Sequence, residues 1–282
     1  MEMSEEHPAE ARIAELSISR PNEIDVEAIA YDFGVEVRYE VLNGCEATLV
    51  GYGNRAIATV QQHSIRTRQR FSVGHELGHW HHHRGQSFRC RVDDISENLA
   101  QSDKTKEQEA DDYSAHLLLP GPLFKPLIKQ VKAPSFADLR EIAALFDCSL
   151  TSTALRLIDV NTVPAVLTCY SRDGLRWFRY SKDVPRRWYL KDRLDEDSFA
   201  HELLFAGKEA PGLRKSSAET WFTNGDGDDY ELREHSVAVR AGEVLTLILP
   251  SDEMLEARFD PDAFPTKYNE HGAYTVRRPR RK

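Results

Sequence analysis

His75-Glu76-Leu77-Gly78-His79 sets two imidazoles four residues apart, with a carboxylate directly after the first. On an α-helix, positions i and i+4 share a face, so both histidines can bind one metal ion. Glu76 is then placed to act as general base toward a water at that metal. A catalytic zinc site takes three protein ligands and keeps one position open, so a third ligand must be found. A metzincin would have a glycine at 82 and a histidine at 85. The chain has His82 and Gly85, which excludes that class. His83 stands four after His79 but brings no group from a second element. The run His81-His82-His83 is expected to face solvent at the helix end, where a protonated imidazole suits the dipole.

The third ligand is expected on a downstream helix. Glu107 and Asp111 are four apart and face the same way, while Ala110, Ala115, Leu118 and Leu119 form the packing stripe. Glu107 would bind the metal. Asp111 would accept a hydrogen bond from the second ring nitrogen of His75 or His79 and so fix its tautomer. Glu109 points elsewhere on helical geometry. The expected set is therefore His75, His79 and Glu107 as ligands, Glu76 as catalytic base, and Asp111 behind a histidine.

These residues need a frame. Residues 21–34 read as an amphipathic helix ended by Gly34, and 35–41 alternate as a half-buried strand. Residues 49–52 and 56–60 read as a hairpin across Gly53-Asn54-Arg55. Phe71 and Val73 open the motif helix. Residues 84–104 are polar and aperiodic, hence loop or irregular helix. A second helix is expected from about Lys106 to Leu119, stopped by Pro120-Gly121-Pro122, and a short one over 123–131. Ser135 to Val160 reads as a helix-turn-helix-like unit with its turn at Asp147-Cys148-Ser149. Its second helix offers only Thr151, Ser152, Thr153 and Arg156 to a nucleic acid, which favours a structural or docking role over groove reading. After Val163 the chain turns strand-rich (166–170, 176–180, 243–249), with one helix near 198–206. Trp177, Trp188, Trp221, Tyr180 and Tyr230 are expected in its core. Asp226, Asp228 and Asp229 lack the glutamate that a calcium loop needs at its twelfth position, where Val237 stands.

With 282 residues and 40% hydrophobic composition, the chain can bury a sizeable core. A net charge of −9 argues against a general nucleic-acid coat. The tail Arg277–Lys282 is basic and expected to fray. There is no apolar run of about 18 residues to span a bilayer, and the acidic N-terminus has no secretory pattern. Cys45, Cys90, Cys148 and Cys169 form no CxxC pair and fit reduced, mostly buried thiols of a cytoplasmic protein.

Residues 68–80 (Arg-Gln-Arg-Phe-Ser-Val-Gly-His-Glu-Leu-Gly-His-Trp) and 107–120 (Glu-Gln-Glu-Ala-Asp-Asp-Tyr-Ser-Ala-His-Leu-Leu-Leu-Pro) resemble the ImmA/IrrE metallopeptidases. The likeness spans roughly residues 24–160. Members typically carry alanine where this chain has Gly74, and a Glu-x-x-Ala-Asn-x-Phe-Ala-Ala segment; here Asp111 replaces the asparagine and Tyr113 the phenylalanine.

The resemblance implies an α+β fold. Residues 1–134 would form a zincin-like metallopeptidase core with a small twisted sheet. Residues 135–160 would be the helix-turn-helix-like segment, and 161–282 a strand-rich α+β C-terminal domain, GAF-like and sensory in some members. It implies a cytosolic, site-specific endopeptidase using zinc, with manganese as the alternative. Its substrate would be a helix-turn-helix repressor of the XRE type, whose loss de-represses stress-response or mobile-element genes. Tyr113 and His116 are candidate oxyanion donors, and the strand Arg55–Val60 is expected to pair with extended substrate. The competing function is a metal-binding sensor that holds a partner protein or DNA without turnover.

Overall fold

The structure, a computed structural model, describes residues 6–85, 88–90, 101–209, 211–240, 242–257, 267–268 and 274–275. The chain is α+β and divides into two units. One comprises the chain up to Gln130 with Arg140–Thr153; the other comprises Val131–Leu139 and the chain from Ala154 onward.

In the first unit, α1 (Pro8–Glu15) starts at Pro8, with His7 as its N-cap. Helix α2 (Val26–Asp32) is capped by Asp25, which accepts from the Glu27 and Ala28 amides. Residues 21–23, expected to belong to this helix, form a separate 3-10 turn instead. Strand β1 (Val35–Glu40) follows, then β2 (Ala47–Tyr52) and β3 (Arg55–Gln61). The hairpin closes at the Tyr52–Arg55 pair over the two residues Gly53-Asn54. Gly34 has φ +77°, and a Cβ there would meet Asn54 O at 2.7 Å, so only glycine fits where the chain enters β1 beside the hairpin.

Helix α3 (Arg66–His82) and the short strand β4 (Phe88–Cys90) complete the frame of the motif. The sheet order is β1-β3-β2-β4, with β1 parallel to β3 and the other pairs antiparallel. This overturns the expectation that Arg55–Val60 pairs with substrate, because β1 and β2 occupy both edges of β3. The outer strands are β1 and β4. Strand β1 also departs from its alternating pattern: of its residues only Val35 is buried.

Helix α3 begins five residues before Phe71. Its first residues are polar, and Gln69 donates to the Gln61 and Gln62 carbonyls and Arg70 to those of Ile24 and Phe146. From Ser72 to Trp80 every residue is buried. Trp80 donates its indole N–H to Phe33 O and fills the space over Gly51.

Helix α4 (Gln101–Leu118) starts within the segment expected to be irregular, and α5 (Gly121–Ile128) follows Pro120. The α3–α4 crossing is close because small residues meet there. A Cβ on Gly78 would lie 2.7 Å from Ala110 Cα, and one on Gly74 would lie 2.5 Å from Ser114 Oγ. Helices α6 (Phe136–Phe146) and α7 (Leu150–Val160) form the expected pair, and each contributes to both units. Two of the four groups considered for DNA reading, Thr153 and Arg156, are buried.

The second unit carries β5 (Val166–Ser171), β6 (Gly174–Tyr180), α8 (Phe199–Ala206), β7 (Arg214–Ser217), β8 (Glu231–Arg240), β9 (Glu243–Pro250) and α9 (Asp252–Glu256). Its five-stranded sheet runs β6-β5-β9-β8-β7, antiparallel throughout. Ser198 caps α8, and Gly207 ends it in the left-handed conformation. Tyr170, Trp188, Trp221 and Phe222 centre the core, with Tyr180 and Tyr230 packed against it, whereas Trp177 is only half-buried. Asp226 pairs with the buried Arg187. Cys45, Cys148 and Cys169 are free thiols, and burial pushes Cys148 up to about 12. The side chain of Cys90, the stretch 91–100 and the basic tail from 277 lie outside the described residues. No described helix is long and apolar enough to cross a membrane.

Candidate metal centre

One turn of α3 presents His75 and His79 on the side that faces α4, and α4 supplies Glu107. The two Nε2 atoms stand 3.0 Å apart. Glu107 Oε2 lies 3.1 Å from His75 Nε2 and Oε1 lies 3.4 Å from His79 Nε2. Donors bound to one tetrahedral ion at zinc's ordinary bond lengths are about 3.3 Å apart. The three side chains thus already stand at the separations such an ion imposes.

The outer ring nitrogens decide which way the inner ones point. His75 Nδ1 lies 2.9 Å from Asp111 Oδ1, an oxygen that can only accept from it when ionised. The proton therefore belongs on Nδ1, and Nε2 offers its lone pair. Behind His79 the arrangement has two stages. His79 Nδ1 is 3.2 Å from His83 Nδ1, and His83 Nε2 is 2.9 Å from Glu109 Oε2. If His83 donates from Nε2 to Glu109, its Nδ1 accepts from His79 Nδ1–H, which frees His79 Nε2 as a lone pair. The network assigns both tautomers to the same end. Two lone pairs aimed at each other repel unless a cation stands between them, so the donor set fits a metal ion.

Burial sharpens this. His79 and Glu76 are fully buried and His75 is 7% exposed. Burial pushes the His79 imidazole below its usual range, against the pull of Glu107. Burial alone would raise Glu107, but the facing His75 and His79 rings, when they carry the Nε2 protons that a metal would displace, outweigh it and bring the carboxyl down to about 2. Glu107 is thus an anionic candidate for the third ligand. The Phe88 ring stacks on His79 at 3.9 Å, an apolar wall from β4.

The structure thus brings together His75, His79, Glu107 and Asp111, and keeps Glu76 buried on the same helix. Three participants were missed. His83 is not part of a solvent-facing run: His81 and His82 are exposed, but His83 is buried and backs His79. Glu109 does point away from the ligands, yet it reaches His83. Phe88 lies in a stretch expected to be loop. An i+4 repeat of histidine (75, 79, 83) was the available signal for His83. Tyr113 and His116 lie on another side of α4, where the Tyr113 ring packs on His7, His81 and His82, and His116 meets Glu10. Their expected role as oxyanion donors gains no support from this placement. Among the described residues a second group, His7, Asp112 and His116, also offers three ligand atoms within 4.8 Å of one another.

A family model for the IrrE N-terminal-like domain, peptidase M78, matches residues 30–157. The match spans a little under half of the chain and supports classing this domain with the ImmA/IrrE family. The matched span contains all of α3 and α4, and so every residue of the centre just described. No curated protein matches the sequence. Among solved structures, a Mycobacterium tuberculosis transcriptional regulator is similar with a TM-score of 0.57 and 13% sequence identity. The similarity covers 86% of this chain and 74% of that one, and it is a likeness of fold.

Proposed function

We propose that this chain, through its ImmA/IrrE-like domain, is a cytosolic, site-specific metalloendopeptidase that cleaves a helix-turn-helix repressor of the XRE type, de-repressing stress-response or mobile-element genes. The observation that carries the reading is the convergence of His75 Nε2, His79 Nε2 and Glu107 beside a buried Glu76 that a purely structural site would not need. Residues 1–134 are read as the zincin-like catalytic domain and 135–160 as a helix-turn-helix-like docking segment. Residues 161–282 are read as a GAF-like regulatory domain.

His75, His79 and Glu107 would hold zinc (or manganese), which would supply Lewis acidity to acidify a water toward a pKa of about 7 and to polarise a carbonyl. Glu76 takes the attacking water's proton as the water oxygen bonds to the carbonyl carbon, and delivers it to the amine nitrogen as the C–N bond breaks. Asp111, and His83 with Glu109, hold the two imidazoles in the required tautomers. An extended substrate adds to the outer edge of β4, where Phe88 already touches His79; this edge replaces β3 as the strand that reads the peptide backbone.

The test is a comparison of new protein N-termini in native cell extract treated with the zinc-loaded chain or with its Glu76→Gln variant, with and without inducing stress. A chelator-sensitive neo-terminus inside a helix-turn-helix repressor, seen only with the unaltered chain, is the expected result. Identical N-termini under every condition would refute the proteolytic reading and favour a binding module without turnover.

A further inference from the structure

Helix α4 carries a second pair at i, i+4, five residues on from Glu107 and Asp111. Asp112 and His116 sit about 140° around the helix from the first pair, on the side where α1 packs. His7, the N-cap of α1, completes a three-donor group with them. Asp112 Oδ2 is 3.0 Å from His7 Nε2, and Asp112 Oδ1 is 3.8 Å from His116 Nε2. The carboxylate thus presents one oxygen to each imidazole. The two rings lie stacked, with centroids 3.8 Å apart.

What separates this group from an ordinary surface cluster is the support behind it. His116 Nδ1 is 2.7 Å from Glu10 Oε1, and the same oxygen accepts the Gly121 amide at 2.9 Å. Glu10 is anchored between two helices and can only accept, so the His116 proton belongs on Nδ1 and its Nε2 lone pair faces Asp112 and His7. A carboxylate behind a histidine is the arrangement that orients and strengthens a ligating imidazole. Glu10 does for His116 what Asp111 does for His75.

We propose that His7, Asp112 and His116 form a second transition-metal site, with Glu10 as its positioning residue, and that the bound ion clamps α1 onto α4. Two imidazoles and one carboxylate select a zinc-class cation over calcium or magnesium. The site is looser than the first. Asp112 is more than half exposed, and metal on His7 Nε2 requires the ring proton on Nδ1, which now accepts the Ala9 amide as the helix cap. Loading therefore gives up one cap hydrogen bond, and the site exchanges its ion more readily than a centre built wholly from the α3–α4 interface. Bound metal would fasten α1 against the helix whose other face holds Glu107.

The test is equilibrium dialysis of the full chain against zinc, with bound metal counted by mass spectrometry. The unaltered chain is expected to take two equivalents, the second released at higher free zinc; His116→Gln and His7→Asn take one each, and Glu107→Gln keeps the weaker one. Glu10→Gln retains both ligating histidines but weakens the second equivalent about 10-fold or more. Should the first centre bind nothing, the unaltered chain takes one equivalent and His116→Gln none, so the two readings fail separately. A weaker equivalent that persists in both His116→Gln and His7→Asn, or never appears, overturns the proposal. If either histidine variant misfolds by circular dichroism, Glu10→Gln decides alone, and unchanged affinity there counts against it.

Discussion

The pairing of Gly74 with Ser114 makes a sharp energetic prediction. Family members resembled by this chain typically carry alanine at both positions, whereas here one side has lost a methyl group and the other has gained a hydroxyl. A Cβ at 74 would stand 2.5 Å from Ser114 Oγ and 3.3 Å from Ser114 Cβ. Ser114 Oγ cannot turn away freely, because it donates to the Phe71 carbonyl at 3.0 Å in a fully buried position. In Gly74→Ala, overpacking costs about 1–3 kcal/mol and the better helix propensity returns about 1, a net loss of roughly 1 kcal/mol. Ser114→Ala alone loses a buried hydrogen bond, again about 1 kcal/mol. Together they remove the clash, and the alanine at 74 then contributes its full propensity gain, so the double variant sits near the unaltered chain. The coupling is about 2 kcal/mol, well above the roughly 0.5 expected of independent sites. Native-state hydrogen exchange of the α3 amides in the full chain reads it directly. Additive single effects, or a stabilising Gly74→Ala, would show that the α3–α4 crossing is not set by this contact.

Gly78→Ala meets backbone, at 2.7 Å from Ala110 Cα and 2.9 Å from Ala110 O, so the helices must separate. Zinc affinity at the first centre should fall at least about 10-fold in a competition titration, and unchanged affinity would contradict the geometry. His83→Phe fills the same space but removes the group that orients His79, and is expected to weaken the same zinc 10- to 100-fold, about the loss typical of such partners; retained affinity would mean His79 needs no partner. In the second unit, burial pushes the Glu234 carboxyl from the ordinary 4.5 up to about 7, and neither oxygen makes a hydrogen bond of good geometry to nearby Trp221 or Ser216. Its neutral form suits the fold, so stability is intact below about pH 4.5 and declines as pH rises through 7, by roughly 3 kcal/mol in full. Glu234→Gln should flatten that decline in urea unfolding between pH 4.5 and 8; an identical pH profile would refute the assignment.

What the sequence disclosed followed from how local each signal is. Hairpin residues 47–61 and the capped helix after Ser198 declare themselves within a few positions. The start of α3 does not, since Gln69 is held by the Gln61 and Gln62 carbonyls just before the helix and Arg70 by those of Ile24 and Phe146, far along the chain. Strand β8 was missed because Glu234, His235 and Ser236 are polar yet buried, which hides its core face. The parallel pairing of β1 with β3 is a tertiary choice, and it moved the available edges to β1 and β4. At the centre, the i+4 rule reached the residues that face the metal position but not those behind them. His83 continues the i+4 histidine spacing, but what holds it behind His79 is Glu109 from the neighbouring helix, at 2.9 Å.

The central claim is that Glu76 serves the reaction and not the metal. The measurement that tests it most directly is the rate of repressor cleavage per bound zinc ion in Glu76→Gln, taken in the His7→Asn background so that one site is counted. The account predicts zinc retained near one equivalent and cleavage per zinc reduced by about 10²–10⁴, the contribution of a general base. Loss of zinc in proportion to loss of cleavage would make Glu76 a structural part of the site. Undiminished cleavage per zinc would remove it from the mechanism.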